Sequence, residues 1–480
     1  ARGDATRRTL RAADTLARVG RVARIAAAVV AVVVTGYVLG VSGVVTKRLH
    51  TPSPLERDGA EVVADALPRL TFLRRALRGG AGERMQQLFP EGYFFTYVLY
   101  GLTWVDVGTR DATLRPRALT EARWALAALD SPAGRAPFSA ELTPAYGVFY
   151  VGWVSWLRGG VIRLAGGPAA APVEAARFAE DTDALAAAFA AQLDHTGSPF
   201  LTAYPGQAWP VDSTVALAAV RLADHLTGGS DHAALIERWL RAADERRDPA
   251  TGLLPHRVDP LSGYPLEGAR ASSQAMSLRF LREVDPDTAR RDWLTFRDRF
   301  ASTVPGAPGI REHPRGTDLP GDIDSGPLIL GLSASASVVA LGDAVLFGDR
   351  ASAAALTGLA EVTGFAVEWH GTRRYLGGAL PVGDAFLAWS LAADGWIVPT
   401  ALADAATSGS GVDAAAPVSG VDTATSAAAV QPVAGGPSAR WRLPWYVAMA
   451  SLLAGCLGLA VALVRRAARE ASHATVPVGR

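Results

Sequence analysis

Two kinds of helical segment alternate through most of this chain, and that alternation limits the folds open to it more than any other feature. One kind is amphipathic, at 58–78, 115–130, 174–193, 231–246, 287–302 and 350–364. In 174–193, Phe178, Leu185 and Phe189 share one side, with Glu174, Arg177, Asp181 and Gln192 elsewhere. The other kind is apolar nearly all round and rich in Ala, Gly and Ser, at 91–107, 143–164, 210–227, 269–283, 324–343 and 383–394. A helix without a polar face must be covered on every side. The pair recurs every ~55–65 residues, the scale of a structural repeat. Six outer–inner pairs predict an all-α domain, an (α/α)6 toroid of six helical hairpins whose inner helices wall a cup. An open helical solenoid and two separate helical domains are the alternatives. Six pairs with no seventh and no cap favour the closed ring.

Two further apolar runs are of a different kind. Residues 25–45, "IAAAVVAVVVTGYVLGVSGVV", carry no charge, and 445–464, "WYVAMASLLAGCLGLAVALV", are the same length class. Each is long enough to cross a bilayer as a helix. Arginines 2, 7, 8, 11, 18, 21 and 24 precede the first, and Arg465, Arg466 and Arg469 follow the second. Positive charge stays on the cytoplasmic side. Both termini (1–24 and 465–480) are therefore expected in the cytoplasm, with 46–399 an extracytoplasmic domain. Lys47, Arg48, Arg440 and Arg442 weaken this reading without reversing it. A cleaved signal peptide is the alternative for the first run, but the run is long for one and no A-x-A site follows. Residues 400–440 are mostly Ala, Ser, Thr, Gly, Val and Pro, a linker with few large apolar groups. The bilayer is thus one expected partner, with a glycan or small-molecule substrate the other; the sequence does not say which proteins it meets.

Composition excludes several chemistries. Lys47 is the only lysine and Cys456 the only cysteine, and both sit at or in lipid-length runs. That removes a phosphate-loop lysine, a Schiff-base lysine, thiolate metal sites and thiol catalysis from the middle of the chain. A net charge of +1 gives no global field for nucleic acid. The histidines show neither H-x-x-x-H nor H-E-x-x-H spacing, so no metal is expected, and no fingerprint for another cofactor is present.

The loops from outer to inner helices should gather around the mouth of the cup, and they look alike. "LDHTGSPFLTAYPGQAWPVDS" (193–213), "DPATGLLPHRVDPLSGYPLEGARASSQ" (248–274), "PGIREHPRGTDLPGDIDSGP" (308–327) and "VEWHGTRRYLGGALPVGDA" (367–385) each hold Gly/Pro turns, a histidine and an acid. Turn chemistry of this kind predicts short two-stranded ribbons. Carboxylates from separate hairpins meeting at one mouth would suit acid/base work, one protonated and one ionised. Asp212 and Glu267 are the first candidates for that pair, with Asp322 and Asp324 as substitutes. Tyr204 and Trp209 would be a stacking platform, and His256, Tyr264, Arg270, His313, Arg315 and Tyr375 candidate substrate contacts. The structural alternatives are definite. Asp212 and Asp324 each precede an apolar segment and read as helix N-caps, Glu267 and Arg270 read as a salt bridge, and the aromatics read as loop packing.

The six-hairpin rhythm, with loops such as "DPATGLLPHRVDP" and "YPGQAWPVDS", resembles the (α/α)6 toroid enzymes. That group takes in glycoside hydrolases, polysaccharide lyases and sugar epimerases, and also linalool dehydratase/isomerase-like proteins. The glycosidase-type members imply a pair of acids in the cup, and Asp212, Glu267, Asp322 and Asp324 occupy suitable loops. The linalool-type members imply pocket cysteines, which this chain lacks outside its second lipid-length run. Three functions follow as expectations: a membrane-anchored acid/base enzyme on an envelope glycan, a hydro-lyase or isomerase on an isoprenoid or lipid alcohol, or a non-catalytic glycan-binding scaffold.

Overall fold

The structure is a computed structural model describing residues 2–400 and 433–473. Most of the linker expected at 400–440, and residues 474–480 of the C-terminal tail, lie outside those residues. The chain opens with one long helix, α1 (Arg2–Leu49). Six outer–inner pairs follow. α2 (Gly59–Arg78) leads through α3 (Ala81–Leu88) to α4 (Gly92–Arg110), and α5 (Arg115–Leu129) leads through the single turn α6 (Pro132–Arg135) to α7 (Gly147–Ala165). α8 (Pro172–Thr196) precedes α9 (Pro210–Thr227), and α10 (Ala233–Asp244) precedes α11 (Ala271–Val284). α12 (Pro286–Phe300) precedes α13 (Ala334–Leu346), and α14 (Arg350–Thr363) precedes α15 (Pro381–Leu391). The last helix is α16 (Leu443–His473).

Local chemistry sets the boundaries. Asp58 and Glu61 form a capping box at α2, Asp285 caps α12 and Asp349 caps α14. Proline takes the first position of α8, α9, α12 and α15.

Inner helices pack in chain order: α4 on α7, then α9, α11, α13 and α15. α15 returns to α4, and that contact makes the architecture a closed (α/α)6 toroid rather than a solenoid. α5, α8 and α2 each bridge two neighbouring inner helices from outside. Small residues permit the close approach. A Cβ on Gly152 of α7 would stand 3.0 Å from the Ala216 backbone of α9. Three short antiparallel ribbons lie in outer-to-inner connections: β1 (Arg257–Val258) with β2 (Pro265–Glu267), β3 (Ile310–Arg311) with β4 (Leu332–Ser333), and β5 (Val367–Trp369) with β6 (Thr372–Arg374).

The axis of the ring is filled. Trp153 of α7 meets Phe95 of α4 at 5.6 Å, Phe280 of α11 at 5.0 Å and Trp389 of α15 at 6.0 Å between ring centroids. The end where the inner helices finish is sealed by residues 392–399. Arg110 donates to the Ala392 and Ala393 carbonyls, Arg282 to those of Val398 and Pro399. Glu283 accepts from the Ile397 and Val398 amides. Trp396 lies flat on Trp156 at 4.6 Å and donates its indole N–H to Asp106. The cup is therefore closed below and plugged in the middle, leaving the mouth as its accessible part.

One expected inner helix is shorter than its apolar run. It begins at Ala334, not at 324, and Ser333 caps it through the Ala336 amide. Gly326, Leu330 and Gly331 all adopt positive φ (66°, 55° and 78°), which a helix does not accommodate. Residues 312–331 are consequently a long connection at the mouth.

α1 and α16 pack along each other and form a unit distinct from Thr51–Ala439. His50 Nε2 and Tyr446 OH stand 2.5 Å apart, and Arg442 donates to the Leu49 carbonyl at 2.8 Å. Both helices are long and apolar enough to cross a membrane, with their apolar windows almost wholly exposed.

Candidate active site at the mouth of the ring

Every inner helix is entered from an outer-to-inner loop, so six helix N-termini face the mouth. α9 begins after the tight turn Tyr204–Gln207, in which Gly206 takes φ +72° and the Gln207 amide returns to the Tyr204 carbonyl. Trp209 is the N-cap residue and Pro210 the first helical one. Asp212 thus falls at the third helical position and does not cap the helix. Its side chain is buried, at 4 % exposure, and aimed among other acids. Burial raises its pKa well above the ordinary carboxylate value, and the neighbouring charges of Asp324 and Glu91 raise it further. Among the described residues it makes no side-chain hydrogen bond.

Glu91 is the N-cap residue of α4 and accepts a hydrogen bond from Tyr204 OH. Tyr204 is held from behind as well, stacked on Phe138 at 5.9 Å and edge-on to Trp209 at 5.7 Å. Burial, then the charge of Glu91, pushes its phenol up. Tyr204 therefore stays a neutral donor.

The long connection before α13 supplies the second half. Asp322 accepts from the Asp324 and Ser325 amides, a local turn that fixes the loop. Arg270, at the N-cap position of α11, grips both oxygens of Asp322 in a fork and donates through Nε to Glu312 at 2.9 Å. Burial opposes ionisation of Asp322, but the bonds from Arg270 and the Ser325 amide overcome it and hold the group well below its usual range. Asp324 behaves oppositely. It is exposed by accessible area yet crowded by protein, and burial followed by the charge of Asp322 raises it to about 6. No hydrogen bond to its carboxyl appears among the described residues.

His256, just before β1, is bonded at Nδ1 to Ser273 Oγ, and its Nε2 lies 3.4 Å from Arg270 Nη1. Burial, then the Arg270 charge, lowers its pKa to about 4, so the ring is neutral at physiological pH. His256, Asp322 and Asp324 can bring one ligand atom each within 4.8 Å of one another, a metal-compatible spacing. The donor set fits poorly, however: Arg270 occupies both Asp322 oxygens and stands against the free face of His256. The guanidinium already supplies the positive charge a cation would bring.

The mouth therefore assembles Glu91, Tyr204, Asp212, His256, Arg270, Glu312, Asp322 and Asp324. Glu267 stands at its edge, 40 % exposed, bonded to Arg257 at 2.7 Å and 4.0 Å from Arg270. Asp324 is thus among the charges that act on Asp212, whereas Glu267 is left as a surface ion pair with Arg257. Asp324 does not cap a helix, because its helix starts ten residues later. Four candidate contacts lie elsewhere. Tyr375 is buried against Arg69 and Glu361, a structural knot between α2, α14 and α15. Tyr264 is exposed and covers Arg246, His313 is buried and bonded to the Pro320 carbonyl, and Arg315 pairs with Asp298 on α12. Long loops carried these side chains outward or into packing, a choice residue type does not reveal. Glu91 and Glu312 were missed. An acid directly before an apolar helix in "FPEGYFF" was the available signal for Glu91; Glu312 had none beyond its charge.

No family model matches the chain, and neither does any curated protein. Among solved structures, an unsaturated glucuronyl hydrolase specific for heparin is similar at 13% identity. The match covers 69% of this chain and 96% of that one, with a TM-score of 0.43. Residues are not carried from one to the other at that distance.

Proposed function

We propose that the ring domain is an acid/base enzyme acting on a glycan or glycoconjugate at the mouth. The observation that carries the reading is a buried Asp212, raised well above the ordinary carboxylate value by burial and then by the charge of Asp324, together with an Asp324 raised to about 6, two carboxyls that make no side-chain hydrogen bond among the described residues. Asp324, raised to about 6, serves as base once ionised; Asp212, whose burial favours the protonated form, serves as acid. In a hydrolysis, Asp212 donates its proton to the departing glycosidic oxygen as that bond breaks. Asp324 takes a proton from the attacking water as the new C–O bond forms. Arg270, held by Asp322 and Glu312, and neutral His256 offer fixed donors to substrate oxygens, and Tyr204 a further one. The apolar helices α1 and α16, with their flanking arginines, support anchorage in a membrane with both termini cytoplasmic and the ring on the far side.

The test is turnover by the full chain, in detergent or nanodiscs, across a panel of neutral and acidic oligosaccharides read by mass spectrometry. Hydrolysis adds one water to the summed products, whereas elimination leaves an unsaturated sugar and adds none. Asp212→Asn and Asp324→Asn should each abolish product while the protein melts as a folded ring. If both variants turn substrate over like the parent, the acid pair is not the catalytic centre.

A further inference from the structure

A second site lies where the α14–α15 connection packs on the outer helix α2. A groove of about 430 Å³ runs between α2 and the β5–β6 ribbon, lined by Ala64, Asp65 and Pro68 on the helix and by residues 368–373 on the ribbon. The ribbon reverses through a two-residue turn, His370–Gly371, with φ of 47° and 70°. Positive φ at both central positions is the tight hairpin turn whose twist matches its strands. Its effect is to hold Trp369 outward, 62 % exposed, with the His370 ring 4.6 Å away and tilted by 30°.

This ribbon is anchored rather than loose. Arg373 bonds Asp65 on α2 at 3.2 Å, Glu361 on α14 at 2.6 Å and Glu368 across the ribbon at 2.9 Å. Nothing in the ring's packing requires a tryptophan at that tip, and an indole left in water forgoes the stabilisation that burial would bring. A rigid aromatic face beside a polar groove suits a ligand with one apolar face and many hydroxyls. That is a sugar ring: its C–H face lies on the indole while its hydroxyls reach carboxylate and guanidinium. The groove's acids are already paired, Asp65 with Arg57, Arg69 and Arg373 and Glu368 with Arg373, so no charge is left over to hold an ionic ligand and a neutral sugar is favoured.

We propose that the Trp369 groove is a non-catalytic binding site for neutral oligosaccharides. It is built from α2 and the connection between α14 and α15, whereas the mouth cluster is drawn from the starts of α4, α9, α11 and α13. The site stands whether or not the mouth is catalytic.

Saturation-transfer NMR and titration of the full chain in nanodiscs test this, with cellotetraose and maltotetraose as neutral probes and tetragalacturonate as the anionic one. At least one neutral probe should bind, and Trp369→Ala should weaken it about tenfold or more. Trp369→Phe should keep affinity within about threefold of the parent, since the aromatic face remains. Asp212→Asn should leave this binding unchanged, which separates the groove from the mouth. Equal binding by Trp369→Ala, no neutral binding at millimolar probe, or preference for tetragalacturonate would each overturn the proposal.

Discussion

The two ends of the ring both collect charged residues, yet they treat them differently. At the mouth, buried Asp212 stands in the first turn of α9 and feels the charge of Asp324, which lies exposed on the long connection before α13. At the sealed end, Asp106, Arg279 and Asp343 are enclosed by the inner helices and the segment 392–399. Arg279 lies 3.4 Å above the Trp389 ring and 3.9 Å from Asp106. Both oxygens of Asp343 and one of Asp106 are buried without a hydrogen bond. Burial pushes Asp106 up to about 7 and Asp343 well above its ordinary value. Unusual protonation is thus shared by both ends. What distinguishes them is exposure: Asp324 is open to solvent at the mouth, while Asp106, Arg279 and Asp343 are all buried. A shifted carboxyl is a sign of function where something can approach it, and a sign of packing where nothing can.

Breaking the mouth should have the largest effect. Asp212→Asn is expected to lower kcat about a thousandfold, with the melting temperature unchanged or raised, because the amide removes a buried acid crowded by Asp324 and Glu91. Breaking the base should do the reverse. Arg279→Met leaves Asp343 and Asp106 without the cation that bears most on them, at a cost of about 3 kcal/mol in stability at neutral pH. That loss should shrink as pH falls and the two acids protonate. Urea melts at several pH values read it, and activity per folded molecule should stay near the parent.

Smaller effects sharpen the contrast. Activity should rise with pH along a limb centred near 6, where Asp324 ionises, and Asp324→Asn should remove that limb along with the activity. The same group acts on stability. Its folded pKa is raised, so its contribution is fully present below about 4 and is lost as pH climbs through about 6. Chemical denaturation across that interval should show a downward slope that Asp324→Asn reduces. Glu267→Gln should be the mildest of all. It breaks a half-exposed pair with Arg257, so kcat/KM should stay within about threefold of the parent and stability within about 1 kcal/mol.

The ring itself was legible because its signal is repeated. An apolar helix such as 210–227 needs cover on all sides, and six such helices with six amphipathic partners leave few arrangements. The ends of those helices were legible where Pro or Asp marks them, as at Pro210 and Asp285. Residues 324–333 misled because "SGPLILGLS" is as apolar as a helix, while its backbone turns through three positive φ values. The site was partly legible for a related reason. Asp212, in the first turn of α9, and Asp322, in a loop, stand at places whose position follows from the repeat. Which acids come together depends on how long loops fold back, and that choice set Asp324 rather than Glu267 among the charges acting on Asp212. Tyr375 shows the same limit from the other side: a tyrosine in a mouth loop can as easily end in a buried knot with Arg69.

Because α15 is the element that docks back on α4, assembly has a definite final act. Until residues 381–399 leave the ribosome, Phe95, Trp153 and Trp156 lack their partners Phe386, Trp389 and Trp396. A nascent chain stopped short of them is a horseshoe with an oily seam rather than a smaller version of the finished protein. Truncation near the end of the ring should therefore yield a product prone to clump, although nearly every helix has already been made.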